Sequence, residues 1–201
     1  MTLVRPGDGN QVGPSGVDVV GVHDEELVSA ALGGDVDAFG ALVERHRRDA
    51  LRVAYGIADG EADDVAQEAF LKAYRNLRQF RAGASFRAWL LTIVANEARN
   101  RRRSFLRRNA LVLRVRSRDT PTAAGADDPE DAAVLRSRRQ LLADALARLS
   151  DRDREVLALR YFAELTEVEM AAGLGCAPGT VKSRLSRAMG RLRTELGEAD
   201  A

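Results

Sequence analysis

The chain has 201 residues, enough for one medium or two small domains, and 45% of them are apolar, which suffices for a core of ordinary density. Only 5% are aromatic and the alternation of β-branched residues typical of strands is nearly absent, so we expect an all-α fold. One cysteine and two histidines exclude an internal disulfide and a credible zinc site. No run is apolar enough to span a membrane and no signal peptide is visible, which predicts a soluble, cytoplasmic protein without membrane insertion.

The charges are sorted into blocks along the chain. A net charge of +1 taken alone argues against nucleic-acid binding. However, nine arginines and no acid lie between Arg99 and Arg118, and five acids and no base lie between Asp119 and Asp131. Adjacent segments are therefore expected to meet partners of opposite charge.

The N-terminal part of the sequence predicts a flexible tail and two helices. Residues 1–22 contain glycines and prolines without a helical period, which is typical of a tail. Asp24 is expected to cap a short helix that ends at Gly33 and Gly34. A long amphipathic helix follows, with apolar residues and one histidine at helical spacing: Phe39, Leu42, Val43, His46, Ala50, Val53 and Ile57.

Two further helices complete a first domain, predicted at residues 23–104. Gly60 precedes a helix with one apolar face, formed by Ala66, Ala69, Phe70, Ala73, Tyr74 and Leu77. After a turn at Gly83, Ser85 is expected to cap a fourth helix that runs into the arginines at 101–103. Trp89 lies on the apolar stripe of this helix. We therefore prefer to interpret it as a core residue and not as a platform on which bases stack.

A linker, a second domain and a short tail are predicted for the remainder. Residues 105–133 are first basic and then acidic, and the acidic part is rich in Pro, Gly and Ala without a period, as in a flexible linker. The second domain is predicted at 134–196 and the tail at 197–201. The first apolar stripe of the second domain is ended by Ser150 and consists of Leu141, Leu142, Ala145, Leu146 and Leu149. The next helix contains Val156, Leu157, Leu159 and Tyr161.

Residues 166–193 carry the pattern of a helix-turn-helix. Ala171 is small where the two helices must approach, and Gly175 stands four residues later, where the turn needs a positive φ. Pro178 suits the first position of the second helix. The buried side of the motif is expected to include Met170, Leu174, Cys176 and Val181, which makes the cysteine a core residue rather than a redox sensor.

The second helix of this motif is basic on its polar faces and contains no acid before Arg193. In a major groove, its N-terminal side chains would reach base edges and the flanking arginines would reach phosphates. A solvated basic helix is the alternative for the charges alone, but the spacing of Ala171, Gly175 and Val181 favours DNA binding. The candidate contact residues are Thr180, Lys182, Ser183, Arg184, Ser186 and Arg187.

Two other polar surfaces are candidates for binding. Helix-dipole compensation explains acids in the first turn of the third helix, but Asp64 and Glu68 form a like-charge pair that costs about 0.2–0.5 kcal/mol. A basic protein partner would explain that cost. The fourth helix carries Asn and Arg side chains. These side chains can hydrogen-bond to bases and phosphates, or they can form a solvated face without a binding role. The two sets are Asp63, Asp64, Gln67 and Glu68, and Thr92, Asn96, Arg99, Asn100 and Arg103.

In this order, these pieces resemble the sigma-70 family, and specifically its small extracytoplasmic-function (ECF) group, which retains the second and fourth conserved regions. The matching stretches are DAFGALVERHRRDALRVAYGIA, GEADDVAQEAFLKAYRNLRQF, SFRAWLLTIVANEARNRRR and LARLSDRDREVLALRYFAELTEVEMAAGLGCAPGTVKSRLSRAMGRLR. The resemblance implies an alternative sigma factor, a non-catalytic subunit that directs core RNA polymerase to promoter DNA, with no cofactor and no metal.

The resemblance also implies roles for the candidate residues. Asp63, Asp64, Gln67 and Glu68 would dock on the clamp coiled coil of the β′ subunit. Ser85, Asn96, Arg99, Asn100 and Arg103, with the loop at residues 80–85, would hold the opened minus-ten element. Thr180, Lys182, Ser183, Arg184, Ser186 and Arg187 would read the minus-thirty-five element.

Further partners follow from the same resemblance. The linker would thread through the polymerase cleft toward the RNA exit path, unless it is a plain solvated spacer. The β subunit of core polymerase is a further expected partner. Members of this group are commonly held by an anti-sigma protein, which adds such a protein to the expected partners. Val168 and Gly173 depart from the family pattern, and the glycine is expected to weaken its helix by up to about 1 kcal/mol.

Two other classes of protein were weighed against this interpretation. A stand-alone helix-turn-helix repressor or activator would need a ligand-binding or dimerising first domain, and no ligand constellation is visible there. A nucleic-acid enzyme would need a nucleophile, a base or a metal, but Asp63, Asp64 and Glu68 have no neighbouring His, Lys or phosphate-binding glycine loop. No catalytic residue is therefore predicted.

Overall fold

A computed structural model describes residues 23–58, 60–112 and 129–197, with the side chains of 109–112 and 129–136 excepted. Within these ranges the chain is helical and contains no strand, so the all-α prediction is confirmed. The expected tail at 1–22, the larger part of the expected linker and most of the C-terminal tail lie outside them. The helices are α1 (Asp24–Leu32), α2 (Val36–Ile57), α3 (Ala62–Arg75), α4 (Phe86–Val112), α5 (Pro129–Arg148), α6 (Asp151–Leu157), α7 (Glu167–Leu174) and α8 (Pro178–Glu195).

The first domain consists of α1–α4, and one predicted cap in it is wrong. Asp24 is the first residue of α1 and His23 is its N-cap, without a side-chain hydrogen bond. The Asp24 carboxylate instead reaches α2, where it lies 2.7 Å from Arg45 Nη1 and 2.7 Å from His46 Nε2. The bond from Arg45 joins two charged groups, and charge-assisted hydrogen bonds of this kind are among the strong ones.

The fourth helix begins as expected and ends later than expected. Gly83 has a φ of +80°, and Ser85 Oγ accepts a hydrogen bond of 3.2 Å from the N–H of Ala88. Trp89 is half-buried against Phe80 and Phe86, with ring centroids 5.4 and 5.7 Å apart. The helix continues past the predicted boundary at 104 because residues 104–112 contain neither glycine nor proline to stop it.

The second domain consists of α5–α8, with a π-helical turn at Ala158–Phe162 after α6. Its core includes the fully buried Leu159, Met170 and Val181. The stripe predicted for α5 is only partly buried, because α5 packs mainly against the end of α8. Leu141 is 61% exposed, whereas Leu149 is buried.

The helix-turn-helix prediction is confirmed in its local geometry. Thr166 caps α7 through a reciprocal capping box with Glu169, whose carboxylate accepts the Thr166 N–H at 2.8 Å. Gly175 has a φ of +62°, as the turn requires, and α8 starts at Pro178. The first helix of the motif is therefore stably terminated at both ends despite its internal glycine.

The two domains pack closely against each other, α4 against α6 and α7, and α2 against the π-helical turn. Two glycines make this approach possible. A Cβ placed on Gly173 would lie 2.2 Å from Thr92 Cγ2, and one on Gly56 would lie 2.2 Å from the Phe162 ring. No side chain fits at either position without displacing its neighbour, because protein interiors are already densely packed.

Candidate nucleic-acid interface and docking surface

The four acidic and amide side chains predicted on α3 lie on one exposed face of the helix. We call Asp63, Asp64, Gln67 and Glu68 the acidic patch; all four are exposed. Arg101 of α4 borders it and donates to Glu61 at 2.6 Å and to Asp64 at 3.4 Å. The Glu61 carboxylate raises the pKa of Arg101, and this cation offsets part of the repulsion within the patch. The sequence did not reveal this neutralisation, since Arg101 lies on another helix.

An apolar groove adjoins the acidic patch between α2 and α3. It has a volume of about 440 Å³. Val36 is 65% exposed at its rim, and Leu71 and Tyr74 are each more than one-third exposed. Exposed apolar side chains beside a charged rim are typical of protein-binding surfaces. The lining residues are Val36, Phe39, Val43, Arg47, Leu51, Asp63, Ala66, Gln67, Phe70, Leu71 and Tyr74.

The residues predicted to contact a melted strand are divided between solvent and the domain interface. Ser85, Asn100 and Arg103 are exposed. Asn96 and Arg99 are half-buried and bond to each other, with Arg99 Nη2 donating to Asn96 Oδ1 at 2.8 Å. The structure therefore brings only part of the predicted surface to solvent.

The arginines of α4 bond to acids of the second domain. Arg99 Nη1 donates to Glu155 Oε2 at 2.9 Å. Arg103 Nε donates to Asp151 Oδ2 at 3.0 Å, and Arg102 donates to Asp151 Oδ1 and to the Ala147 carbonyl. Asp151 follows the cap Ser150 and lies in the first turn of α6, so the helix N-terminus presents it to α4.

A polar cavity of about 220 Å³ separates the two predicted DNA-binding surfaces. Arg99 from the first domain and Arg184 from the second both line it, together with Glu155. The Glu155 side chain is only 5% exposed, and its Oε1 and the Nε of Arg99 lie buried without a hydrogen-bond partner. Burial raises the pKa of Glu155, against the opposing effect of Arg99. The sequence did not single out Glu155, because its partner Arg99 lies on a helix of the other domain.

The recognition helix α8 presents most of its predicted residues to solvent. Lys182, Ser183, Ser186 and Arg187 are exposed, while Thr180 and Arg184 are half-buried. The opposite face is buried and includes Val181, Leu185 and Ala188. Arg187 Nε donates to the Ser183 carbonyl at 3.0 Å, which lays the guanidinium along its own helix.

Metal coordination and membrane insertion are two further possibilities for the described residues. Within 23–58, 60–112 and 129–197, no group of three or more His, Cys, Asp or Glu side chains could hold a metal ion. In that part of the chain, no helix combines the length and the hydropathy required to cross a bilayer.

Comparison with known proteins identifies the family. Residues 42–109 match the model of sigma-70 region 2, and residues 139–192 match the model of sigma-70 region 4. The chain is 32% identical over 171 residues to the RNA polymerase sigma factor NccH of Alcaligenes xylosoxydans xylosoxydans, covering 84% of this chain and 92% of NccH. This chain belongs to the sigma-70 family. The ECF sigma-E factor of Escherichia coli K12 is 33% identical over 82% of this chain and 90% of its own length, which agrees with the ECF group.

A solved structure supports the same conclusion at the level of the fold. CnrH, in complex with the cytosolic domain of CnrY, superposes with a TM-score of 0.62 at 31% identity, covering 89% of this chain and 99% of CnrH. The chain is thus an alternative sigma factor that binds core RNA polymerase and directs it to promoters. The acidic patch and the polar face of α4 lie in region 2, and the helix-turn-helix lies in region 4. The alternative of a stand-alone repressor or activator is not favoured.

Proposed function

We propose that this sigma factor docks on the β′ clamp coiled coil through the acidic patch and the adjoining groove of α2 and α3. The observation that carries the proposal is a set of four exposed polar residues, three of them acids, beside an exposed apolar groove that Asp63 and Gln67 line. An amphipathic helix with basic residues beside its apolar face fits such a surface, because the groove accepts the apolar side chains and the rim pairs with the basic ones.

The DNA contacts are proposed for the two other surfaces. On α4, Ser85, Asn96, Arg99, Asn100 and Arg103 hold the opened minus-ten strand. On α8, polar side chains of the N-terminal half, four exposed and two half-buried, read the minus-thirty-five element in the major groove, which is the usual geometry of a recognition helix. This set comprises Thr180, Lys182, Ser183, Arg184, Ser186 and Arg187.

The protein acts without catalysis of its own in this proposal. DNA opening is driven by the free energy of binding to polymerase and to the separated strand, and not by nucleotide hydrolysis. The β subunit is a further contact within core polymerase, and the site of action is the nucleoid in the cytoplasm. The sigma factor RpoE of Bartonella quintana is bound to the anti-sigma factor NepR in its solved structure. By extension, an anti-sigma protein is a partner of this chain as well.

Run-off transcription on fragmented genomic DNA, with purified core polymerase, tests the function. Discrete transcripts that require the chain are expected. Their absence, together with tight binding of duplex DNA by the chain alone, would favour a repressor or activator.

A charge reversal tests the docking surface. Asp64→Arg is expected to abolish capture of core polymerase in a pull-down while the circular dichroism spectrum stays unchanged, because a guanidinium there would face the basic partner. Glu25→Arg makes the same charge change at an exposed acid of α1 that does not line the groove, and it should bind as the wild type does. Equal capture of both variants would refute the docking assignment.

A further inference from the structure

The polar cavity of about 220 Å³ lies where α4, α6, α7 and α8 meet, and three arginines line it. Arg99 comes from α4, Arg152 from α6 and Arg184 from α8. Glu155 is the one acid among the lining residues. Three guanidinium groups against one carboxylate leave an excess of positive charge, which makes the cavity a candidate site for an anion.

Two buried atoms on the residues that line this cavity lack hydrogen-bond partners within the described part of the chain. The Glu155 side chain is 5% exposed and accepts from Arg99 through Oε2 at 2.9 Å, but its Oε1 has no partner. The Nε of Arg99 is buried without a partner as well. Folded proteins rarely leave such groups unsatisfied, because an unpaired polar group away from water is costly. A ligand that both donates and accepts hydrogen bonds would complete the site.

Arg152, Arg184 and Asn96 offer further hydrogen-bond donors to the cavity. Among the residues that the structure describes, neither of these two arginines forms an ion pair. Arg184 Nη1 lies 4.0 Å from Cys176 Sγ, which is a weak acceptor. The Oδ1 of Asn96 accepts from Arg99 at 2.8 Å, so the amide NH2 group is left to donate to a ligand. Donors from three helices therefore converge on one space, as in sites that bind oxyanions.

Ordered water alone suits this cavity less well than an anion does. A volume of about 220 Å³ corresponds to about seven water molecules at about 30 Å³ each. Water could bond to Oε1 of Glu155 and Nε of Arg99, but it is neutral and leaves the other guanidinium charges uncompensated in a partly enclosed space. An oxyanion with four oxygens is smaller than this volume and can accept from all three arginines.

Glu155 restricts which anion can bind. A carboxylate oxygen repels an anion without a proton, but it accepts a hydrogen bond from an anion that has an O–H group. Burial raises the pKa of Glu155, so a proton can lie between its carboxyl group and the anion. Orthophosphate keeps an O–H group at neutral pH, whereas sulfate has none and a phosphate monoester loses its own above about pH 6. The phosphodiesters of DNA have no O–H group either.

We propose that the polar cavity binds inorganic phosphate as hydrogenphosphate, whose O–H group donates to Oε1 of Glu155. The other phosphate oxygens accept hydrogen bonds from Arg99, Arg152 and Arg184. The terminal torsion of a glutamate side chain is soft, so Oε1 turns toward the ligand without a change of rotamer. The site goes beyond the proposed function, since its ligand is neither polymerase nor promoter DNA.

Isothermal titration calorimetry of the full chain tests the proposal, with sodium phosphate as the titrant in a chloride buffer at about pH 7.5. One phosphate per chain should bind, about tenfold more tightly than sulfate or methyl phosphate, because neither of these anions can donate to Glu155. Arg152→Gln should weaken phosphate binding about tenfold, since it removes a charge-assisted donor. Arg139→Gln makes the same change at an exposed arginine of α5 outside the cavity, and it should bind phosphate as the wild type does.

Glu155→Gln separates recognition of the O–H group from simple attraction of an anion. The amide removes the negative charge and offers an N–H donor, so sulfate should bind more tightly than to the wild type and the preference for phosphate should vanish. Circular dichroism of each variant checks that its helical content is that of the wild type. Arg152 is exposed, so its replacement tests the site even if Glu155→Gln weakens the fold.

Three results would overturn the proposal. The first is the absence of saturable phosphate binding at millimolar concentrations. The second is equal affinity of the wild type for phosphate and sulfate, which would indicate only a general attraction of anions to the arginines. The third is undiminished binding by Arg152→Gln, which would place the phosphate elsewhere. None of these titrations contains polymerase or DNA, so their outcome does not depend on the proposed function.

Discussion

Arg154 is the side chain whose replacement should most directly show that the two domains fold as one unit. It is 2% exposed and donates to the carbonyls of Leu146 in its own domain and of Ile57 in the other. Hydrogen bonds to a charged group contribute about 1.5–3 kcal/mol each, so loss of both should cost about 3–6 kcal/mol. Arg154→Met keeps most of the aliphatic packing, so the loss reports mainly the hydrogen bonds. Arg154→Lys keeps the charge but cannot reach two carbonyls at once, and we expect it to be almost as destabilising.

Urea unfolding with two probes measures this effect. The single tryptophan, Trp89, lies in the first domain, so its fluorescence reports that domain, whereas far-ultraviolet circular dichroism reports all helices. In the wild type the two transitions should coincide. In Arg154→Met the dichroism transition should begin at lower urea than the fluorescence transition, because the second domain loses its support first. Arg139→Met, at an exposed arginine of α5, should shift the midpoint by less than the equivalent of about 0.5 kcal/mol. A loss below about 1 kcal/mol in Arg154→Met, with coincident transitions, would refute the reasoning.

Three further predictions follow from the site and the core. Burial raises the pKa of Glu155, so the folded chain retains this proton after the unfolded chain has released it. The unfolding free energy of the wild type should therefore fall relative to Glu155→Gln as the pH rises above about 4.3, and parallel pH profiles would contradict this. Lys182→Ala or Arg187→Ala should weaken the binding of the polymerase complex to its promoter by about 1–3 kcal/mol, measured by footprinting, if the replaced side chain contacts a base. A loss of the same size on all DNA sequences would indicate a phosphate contact instead. Met170→Ala, at a fully buried position, should lower the unfolding free energy by about 2–5 kcal/mol in urea titrations, and a smaller loss would mean that the motif repacks.

The helix-turn-helix could be predicted from the sequence because its requirements are local. A capping threonine, a glycine with positive φ and a proline at a first helical position each act within a few residues of their own place. Gly175 and Pro178 have the predicted geometry, and Thr166, for which no cap was predicted, closes the N-terminus of α7 through Glu169. The exposure of the acidic patch was predictable for the same reason, since the period of α3 places its four residues opposite the apolar face.

The residues between the domains could not be predicted, because their roles depend on chain segments far away in the sequence. Arg154 and Ile57 are separated by 97 positions, and Arg99 and Glu155 by 56. Gly173 could be recognised as a weak point of its helix, but its contact with Thr92 could not. Leu141 illustrates the converse, since a regular apolar period predicted burial and the neighbouring helices do not reach it.

The near-neutral net charge, which argued against nucleic-acid binding, has a physical explanation in the ion pairs between the two domains. Arg99, Arg102 and Arg103 of the basic block are paired with Glu155 and Asp151 of the second domain. Charges that cancel within one molecule keep its net charge low. The net charge of a chain therefore says little about nucleic-acid binding when its basic and acidic blocks can pair with each other, and the sorting of charges along the sequence is the more informative quantity.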